Sequence, residues 1–356
     1  MSFSIPTKQR VLLIPESRAA WAIRQVDILR SGAGEVLVRT DAVGLNPVDY
    51  FVQKMDYFSP KYPLISGWEG SGTVVQLGDG VTSLSIGDKV FYAGASWENN
   101  TTFKEYAVTS ADLCGKVPSN LSMEQAASVP LALNTAALGM YSGPVAERSG
   151  VGLTPPWVEG GREKYKGQPC IVFGGATSVG QFAIQFAKLS GFSPIITTAS
   201  LKNAEYLKSL GATHVLDRNS NTPSLIAAIK DIIKEPFSLV YDAVSSEQTQ
   251  NVGYDLLGSG GNLVIVLGSA IPEEKRTPDK HIARINASPF FPDRRPLSVE
   301  MYKQLPDMFE RGELKPNHIE LLLNGFAGIP DGLERMYRNE ISAKKLVARP
   351  RDTPQA

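Results

Sequence analysis

The sequence contains few of the side chains that bind metal ions or form disulfides. Its 356 residues include two cysteines, Cys114 and Cys170, and three histidines, His214, His281 and His318. Cys170 stands in an apolar run and Cys114 in a distant loop, so we expect no disulfide framework and a reducing compartment. We interpret the three histidines as ordinary strand or loop residues.

Excess charge and long apolar runs are also missing. Lys and Arg number 36 and Asp and Glu number 36, so neither nucleic acid nor an anionic membrane surface is an expected partner. No uninterrupted apolar run is long enough to span a membrane, and the N-terminal stretch MSFSIPTKQR lacks the apolar core of a secretory signal. We therefore expect a cytoplasmic protein, whose length suggests two domains.

What the sequence does contain is a stretch typical of a nucleotide-binding sheet. Residues 169–191, PCIVFGGATSVGQFAIQFAKLSG, predict a strand, a tight turn and a helix. The turn consists of Gly174, Gly175, Ala176, Thr177, Ser178, Val179 and Gly180. Such small residues let backbone N–H groups and a helix N-terminus approach a pyrophosphate.

The turn matches the dinucleotide motif G-x-G-x-x-G imperfectly. Gly175 and Gly180 take the first and third glycine positions, whereas Thr177 takes the middle one. The hydroxyls of Thr177 and Ser178 are suited to bonding phosphate oxygens. Taken alone, this stretch also fits a plain strand-to-helix turn in another α/β protein.

The residues after the second predicted strand indicate which dinucleotide is bound. An NAD-binding protein places an acid about 20 residues past the turn, on the ribose hydroxyls. Here the strand runs into Ser200, Lys202 and Asn203, with no Asp or Glu between them. A hydroxyl, an ammonium and an amide suit a 2′-phosphate, and Arg218 is a second candidate for it. We therefore predict NADPH; the alternative is that Lys202 is only a solvated lysine.

The predicted secondary structure changes along the chain. Residues 9–118 predict short strands broken by glycine turns, which favours a compact β-rich barrel or sandwich. From 169 to 267, strands and helices alternate as in a doubly wound parallel sheet. We predict residues 270–295 to be irregular. The loop at 142–168 is either functional or an insertion in the fold without a function of its own.

Three motifs in the N-terminal half carry a family resemblance. They are VGLNPVD from Val43, GWEGSGTV from Gly67 and GDKV from Gly87. With the nucleotide turn, they make the chain similar to the medium-chain dehydrogenase/reductase superfamily. The resemblance implies an α/β fold with a GroES-like β-rich catalytic domain, residues 1–128 completed by 300–356. It also implies a Rossmann doubly wound parallel sheet, residues 129–299, that binds NADPH.

Departures from the family pattern indicate a zinc-free branch. Zinc alcohol dehydrogenases of this superfamily carry Cys where this chain has Asn46 and His where it has Trp68. Their structural zinc needs four cysteines in a region that offers Cys114 alone. We therefore predict no metal site. The chain most resembles quinone oxidoreductases and enoyl reductases, in particular fungal trans-acting enoyl reductases.

The resemblance also implies catalytic residues. Such enzymes deliver hydride from NADPH to a conjugated C=C, so the enolate oxygen needs a donor and the α-carbon a proton. In mitochondrial relatives a tyrosine follows the motif asparagine by eleven positions, which corresponds to Tyr57 here. Tyr50 and Tyr62 are alternative donors, and Tyr57 as a merely structural aromatic is the competing interpretation. Asn46 is expected to face the nicotinamide, unless it only forms an Asn-Pro turn.

Further positions follow from the same resemblance. Predicted cofactor contacts are Asp49, which more readily orders its own turn, Thr135, Leu267, Gly268 and either Lys344 or Lys345. Phe290 and Phe291, with Tyr50, are predicted to line a cleft for an apolar or flat conjugated substrate. The two phenylalanines equally fit a core or a subunit contact.

The resemblance leaves partners and activity open in part. The expected partner is a small-molecule or acyl substrate, free or bound to a carrier, and the protein is expected as a monomer or homodimer. The leading hypothesis is reduction of an activated C=C. The rivals are a quinone reductase and a catalytically silent nucleotide-binding protein of the crystallin type.

Overall fold

A computed structural model describes residues 4–58, 61–94, 100–144 and 150–355. The chain forms two compact units. The first comprises Met1–Leu131, Ser298–Gly312 and Pro316–Ala356, and the second comprises Ala132–Leu297 and Glu313–Lys315. The first unit is therefore built from the two ends of the chain.

Strands and helices follow one another along the described residues. The strands are, in chain order, β1 (Lys8–Ile14), β2 (Ala22–Asp27), β3 (Glu35–Gly44), β4 (Leu64–Ile65), β5 (Glu69–Leu77), β6 (Lys89–Ala93), β7 (Tyr106–Ser110), β8 (Cys114–Lys116), β9 (Cys170–Phe173), β10 (Ile195–Ala199), β11 (His214–Asp217), β12 (Phe237–Asp242), β13 (Leu257–Ile265), β14 (His281–Arg284), β15 (Ile319–Leu321) and β16 (Lys345–Ala348). The helices are α1 (Pro47–Met55), α2 (Met123–Ala126), α3 (Pro130–Tyr141), α4 (Ser178–Leu189), α5 (Ala204–Leu210), α6 (Thr222–Ile232), α7 (Glu247–Leu256), α8 (Arg295–Glu310) and α9 (Ile329–Tyr337).

The first unit is rich in β-structure, and the tail of the chain completes it. One sheet has the order β15-β16-β3-β5-β6-β8, with β7 also paired to β3, and a smaller one has the order β2-β1-β4. The tail strand β16 runs antiparallel to β3, with Val347 opposite Gly44. Leu45 and Leu346 lie fully buried in one apolar cluster, so apolar burial joins the two ends of the chain.

Helix α1 occupies a stretch that the sequence analysis treated as a turn. Asn46 is extended (φ −137°) and Pro47 takes the first helical position, where its missing N–H costs nothing. Asp49 then accepts the backbone N–H of Asn46 at 2.9 Å, as in a capping box. The helix ends where Asp56 adopts a left-handed conformation (φ 50°). The Asn-Pro dipeptide therefore starts a helix of more than two turns.

The second unit is a six-stranded parallel sheet of order β11-β10-β9-β12-β13-β14. The order reverses at β9, as in a doubly wound nucleotide-binding fold. β9 is buried throughout, and Ile171 and Phe173 pack in the cluster that also holds Val240 and Leu263. The alternating pattern over residues 169–267 therefore predicted a doubly wound parallel sheet correctly, apart from its edge strand β14.

Residues 270–295 are less irregular than we predicted from the sequence. Residues His281–Arg284 form the edge strand β14, parallel to β13 with Asn262 opposite His281. The prediction was wrong because this strand is only four residues long, is partly exposed and lies between charged segments.

Part of the loop at 142–168 lies outside the described residues, and the rest packs on the second unit. The Trp157 ring lies 5.1 Å from that of Tyr141 and 6.0 Å from that of Phe186. Tyr165 stacks on Phe192 with ring centroids 5.1 Å apart. These contacts attach the described part of the loop to helices α3 and α4.

Within the described residues, no helix combines the length and the apolar character that a membrane span requires.

Candidate functional site

The nucleotide turn of the second unit depends on glycine for close backbone contacts. The amide groups of Gly174 and Gly175 donate to the Thr198 hydroxyl (3.1 Å) and carbonyl (3.0 Å). A Cβ atom on Gly175 would lie 2.1 Å from Thr197 Oγ1, and one on Gly180 would lie 2.3 Å from the Gly174 carbonyl oxygen. Gly174 is also left-handed, with φ 74°. The glycines thus allow the turn to lie against β10 and the first turn of α4 to lie against the turn.

Thr177 caps helix α4. Its hydroxyl oxygen accepts the backbone N–H of Gly180 at 2.9 Å, which satisfies one of the amides that every helix N-terminus leaves unpaired. A hydroxyl can accept and donate at once, so its hydrogen can still serve a phosphate oxygen. Residues Ala176, Ser178 and Val179 complete the turn at the positive end of the helix dipole.

The predicted 2′-phosphate residues follow two neighbouring strands. β10 and β11 are parallel, with Ala199 opposite Asp217, so Ser200 and Arg218 leave the sheet side by side. The Arg218 amide donates to the Ala199 carbonyl at 3.0 Å. Lys202, within the 3₁₀ turn Leu201–Asn203, and Arg218 are both exposed. Two cations therefore stand at one edge of the sheet, where a 2′-phosphate is expected.

Three other predicted cofactor contacts have defined places in the second unit. Thr135, on α3, is buried, and its carbonyl accepts the Tyr241 hydroxyl at 2.7 Å. Leu267 and Gly268 follow β13 and are exposed. The Gly268 carbonyl accepts the side-chain amide of Gln250 at 2.9 Å. These contacts hold the local backbone in place, and the role of the three residues in cofactor binding stays a prediction.

Phe290 and Phe291 lie half-buried in the second unit. The Arg294 guanidinium stands 5.6 Å from the centroid of the Phe291 ring, a cation–π distance. Arg294 is itself buried and donates to the Asn286 carbonyl. One of the two rings is therefore held by its own segment, and substrate contact by either ring stays a prediction.

The first unit contains a buried charged cluster that the sequence did not reveal. The Lys345 ammonium lies 2.5 Å from Glu69 Oε1 and 2.5 Å from Asn46 Oδ1. Asn46 Nδ2 donates to the same Glu69 oxygen at 2.8 Å, and Glu69 Oε2 accepts the Leu131 amide at 2.8 Å. The side chains of Lys345 and Glu69 are 3% and 0% exposed. We call Asn46, Glu69 and Lys345 the buried triad.

The triad changes the interpretation of two predicted residues. Asn46 is 4% exposed and its amide is engaged on both sides, so it is held inside the unit rather than presented as a free amide. Lys345 was predicted to approach the cofactor, whereas its ammonium points at Asn46 and Glu69. Glu69 is a residue that the sequence analysis missed as a functional candidate; its place in the GWEG motif was the only available signal.

Asp49 is a structural member of the same neighbourhood. It is fully buried, and its oxygens accept Asn46 N–H (2.9 Å), the Ser66 hydroxyl (2.8 Å) and Gly67 N–H (3.2 Å). Burial raises the pKa of the Asp49 carboxyl from 3.8 to about 7, against the opposing effect of these hydrogen bonds and of Lys345. These contacts agree with the expectation that Asp49 orders its own turn, and its role as a cofactor contact stays a prediction.

The three candidate tyrosine donors differ in their surroundings. Tyr57 follows the C-cap of α1, half-buried, with its ring 4.2 Å from that of Phe58. The Tyr62 hydroxyl donates to Asp56 at 2.6 Å, and burial together with that carboxylate raises the pKa of Tyr62 to about 12. Burial also raises the pKa of Tyr50, whose ring meets Tyr337 edge-on at 5.4 Å.

Asn46 and Tyr57 lie at opposite ends of α1. At 1.5 Å per residue, the nine residues of the helix separate those ends by roughly 14 Å. Direct roles for both residues at the same reacting atom would therefore require the tyrosine to reach back along the helix. The geometry therefore favours different roles for Asn46 and Tyr57.

A zinc ion does not fit the residues of this first unit. Neither Asn46 nor Trp68 offers a thiolate or imidazole ligand. In the described parts of the chain, no group of three or more His, Cys, Asp or Glu side chains could hold a metal. The Lys345 ammonium, against Asn46 and Glu69, also places a positive charge where a second cation would be repelled. We therefore derive no step through zinc.

Together, the parallel sheet with its glycine turn and the β-rich unit completed by the tail define a two-unit protein whose second unit has a nucleotide-binding fold. Two family models match the chain. Residues 32–119 match the alcohol dehydrogenase GroES-like domain, and residues 178–294 match the model described as zinc-binding dehydrogenase.

Known relatives refine this class. A trans-enoyl reductase of Pyricularia oryzae is 31% identical over 346 residues, covering 89% of this chain and 90% of the relative. One of Penicillium sp is 28% identical over 368 residues, covering 96% and 98%. The chain belongs to the medium-chain dehydrogenase/reductase superfamily and, within it, to the enoyl-reductase-like family of these proteins. The predicted superfamily, the fold class and the assignment as an oxidoreductase are thereby confirmed.

A solved structure supports the same fold. A crotonyl-CoA carboxylase/reductase variant in complex with NADP superimposes with a TM-score of 0.74 at 18% identity, covering 97% of this chain and 96% of that one. At this identity the likeness shows the fold alone.

Proposed function

We propose that the protein is a zinc-independent, NADPH-dependent reductase that transfers hydride to an activated C=C bond of an α,β-unsaturated carbonyl compound. The observation that carries the proposal is the buried triad, which puts an ammonium and not a set of metal ligands at Asn46 and Glu69. Alcohol oxidation in this superfamily relies on a Lewis acid, whereas conjugate reduction needs only hydride, a hydrogen-bond donor and a proton.

The second unit supplies the residues for the cofactor. Gly174 to Gly180 would hold the pyrophosphate with backbone groups and with the N-terminus of α4, at which the turn ends. Ser200, Lys202, Asn203 and Arg218 would hold the 2′-phosphate, and the neighbouring Asp217 carboxylate accepts the Asn219 amide at 3.0 Å. Bound NADPH supplies the hydride; the protein binds, orients and shields.

The first unit supplies the proton donor. We assign Tyr57 to this role because its position matches that of the tyrosine in the family motif, eleven residues after Asn46, and a phenol hydroxyl can donate a proton. Tyr62 is less suited, since Asp56 already accepts its hydrogen. The phenol would give its proton to the α-carbon once hydride has reached the β-carbon, and the phenolate left behind would recover a proton from solvent.

The substrate follows from the relatives and from the chemistry. The relatives in Pyricularia oryzae and Penicillium sp are named trans-enoyl reductases, and we extend an enoyl substrate to this chain. Phe290, Phe291 and Tyr50 are proposed to contact its apolar part. The substrate is proposed to be an acyl compound, either free or bound to a carrier.

The test is NADPH oxidation by the purified protein with an α,β-unsaturated ketone or thioester, with a quinone as the competing acceptor. We expect turnover of the enone, a preference for NADPH over NADH, and no loss of activity after treatment with a chelator. Enone turnover that requires added zinc, or exclusive reduction of quinones, would contradict the proposal.

A further inference from the structure

The buried triad joins three distant parts of the chain at the start of two helices. Asn46 precedes α1, and Lys345, the first residue of β16, reaches it from 299 positions along the chain. Glu69 opens β5, and its second oxygen accepts the amide of Leu131, the second residue of α3. One carboxylate therefore neutralises the lysine and also satisfies an amide at a helix N-terminus.

The two charges permit one orientation of the Asn46 amide. An ammonium only donates hydrogen bonds and a carboxylate only accepts them. The amide oxygen must therefore face Lys345 and the amide nitrogen must face Glu69, as the contacts show. A flipped amide would put donor against donor and acceptor against acceptor, in a place with almost no solvent to relieve either.

Stability alone gives a weak account of such a triad. Burying an ion pair costs desolvation that the attraction between the charges often fails to repay, and apolar residues of similar volume are commonly as stable. The triad does, however, fix a side chain in one state with high geometric precision. Precision of this kind matters where reacting groups must be aligned.

We propose that Lys345 is a positioning residue for the reductase reaction, which acts through Asn46 and Glu69. By pairing with Glu69 and setting the orientation of the Asn46 amide, it holds the residues at the start of α1 in the arrangement required for hydride transfer. This inference rests on the proposed function. The side chain of Lys345 is 3% exposed and its ammonium is bonded to two acceptors of its own unit, so we propose positioning in place of direct cofactor contact.

The first variant is Lys345→Met, with Lys116→Met as a matched control. Lys116 is also a strand lysine of the first unit in an ion pair, at 2.9 Å from Asp88, but 54% of its side chain is exposed. We expect Lys345→Met to lower kcat for an enone by roughly ten- to hundredfold, since small misplacements have large kinetic costs. The NADPH dissociation constant, measured by fluorescence titration, should stay within about threefold of wild type. The Lys116 variant should match wild type in both measurements.

A double-mutant cycle with Asn46→Ala tests whether the lysine acts through the amide. Once Asn46 is removed, Lys345→Met should cause little further loss of kcat, because residues that act as a unit are not additive. Lys345→Arg keeps a donor-only cation and should recover part of the activity. A full, independent loss in the Asn46→Ala background would overturn the proposal.

Glu69 left without its lysine could unfold the protein, so a neutral pair is needed as well. Lys345→Met combined with Glu69→Gln leaves no unpaired buried charge, and we expect a folded protein whose kcat stays low. A wild-type kcat in this double variant would overturn the positioning role. So would a loss confined to NADPH binding, which would indicate direct cofactor contact. Absence of enone turnover by the wild-type protein would instead contradict the proposed function, so the two failures are distinguishable.

Discussion

The candidate sites of the two units consist of different kinds of residue. In the second unit, glycine lets the nucleotide turn pack closely, because a Cβ on Gly175 would lie 2.1 Å from Thr197 Oγ1 and one on Gly180 would lie 2.3 Å from the Gly174 carbonyl oxygen. In the first unit, the buried triad consists of charged and polar side chains that satisfy one another almost without solvent. One candidate site thus depends on missing side chains for its backbone geometry, whereas the other depends on side chains that satisfy one another.

We expect the largest effect from a substitution in the glycine turn of the second unit. Gly175→Ala places a methyl group 2.1 Å from Thr197 Oγ1, and overpacking of this kind costs about 1–3 kcal/mol. We expect a lower melting temperature and loss of measurable NADPH binding by fluorescence titration. Gly143→Ala is the control, since a Cβ there meets nothing within 4 Å. Normal NADPH affinity in the Gly175 variant would mean that the turn does not hold the cofactor.

In the first unit, we expect the next largest effect from a substitution of Tyr57. Tyr57→Phe removes the proposed proton donor, and general acid catalysis is worth on the order of a hundredfold or more. We expect enone reduction to fall by about that factor while reduction of a quinone, which needs no protonation at carbon, changes little. Parallel steady-state kinetics with both acceptors checks this. If Tyr62→Phe produced the loss instead, the donor would be Tyr62.

The preference for NADPH over NADH tests whether Lys202, an exposed residue of the second unit, contacts the 2′-phosphate. Lys202→Ala should reduce kcat/KM for NADPH by about tenfold or more, because a hydrogen bond to a charged group contributes roughly 1.5–3 kcal/mol. The value for NADH should stay unchanged. Lys208→Ala, which removes an exposed lysine paired with Glu205, should alter neither value. An equal fall for both coenzymes would place Lys202 elsewhere than at a 2′-phosphate.

The smallest effect concerns the buried aspartate of each unit. Burial raises the pKa of Asp49 to about 7 and that of Asp242 to about 6. Between the ordinary value near 4 and the raised value, the unfolded carboxyl is ionised while the folded one is protonated. The folded state then binds more protons, so stability falls as pH rises through this window and is level above it.

Urea unfolding at several pH values separates the two aspartates. Relative to Asp49→Asn, the wild type should lose about 2 kcal/mol of unfolding free energy between pH 5 and pH 7. Asp242→Asn should remove a pH dependence of the unfolding free energy that ends about one pH unit below that of Asp49. A wild type and an Asp49→Asn variant with identical pH profiles would show that Asp49 is ionised throughout.

The same contrast explains what could be predicted from the sequence. The nucleotide turn, its helix and the alternating sheet are local patterns, so spacing and residue size were sufficient to predict them. Helix α1 was missed because Asn46-Pro47 is read equally well as a turn and as a helix start. β14 was missed because its four residues carry no usable period.

The buried triad could not be predicted from local patterns. Lys345 and Asn46 are 299 positions apart, and nothing in the residues beside either one indicates the other. Lys345 looked like any lysine at the start of a strand, and its neighbour Lys344 is indeed an exposed lysine paired with Glu320. Only the pairing of β16 with β3 brings the ammonium to its acceptors.

That pairing has a consequence for the protein while it is being made. Asn46 and Glu69 leave the ribosome long before Lys345 does, by roughly 15 to 60 s at ordinary elongation rates. During that interval the glutamate has no counter-ion, and the sheet that will bury it lacks its closing strand. We expect the nascent second unit to become compact first, while the earlier-synthesised portion waits for the last part of the chain.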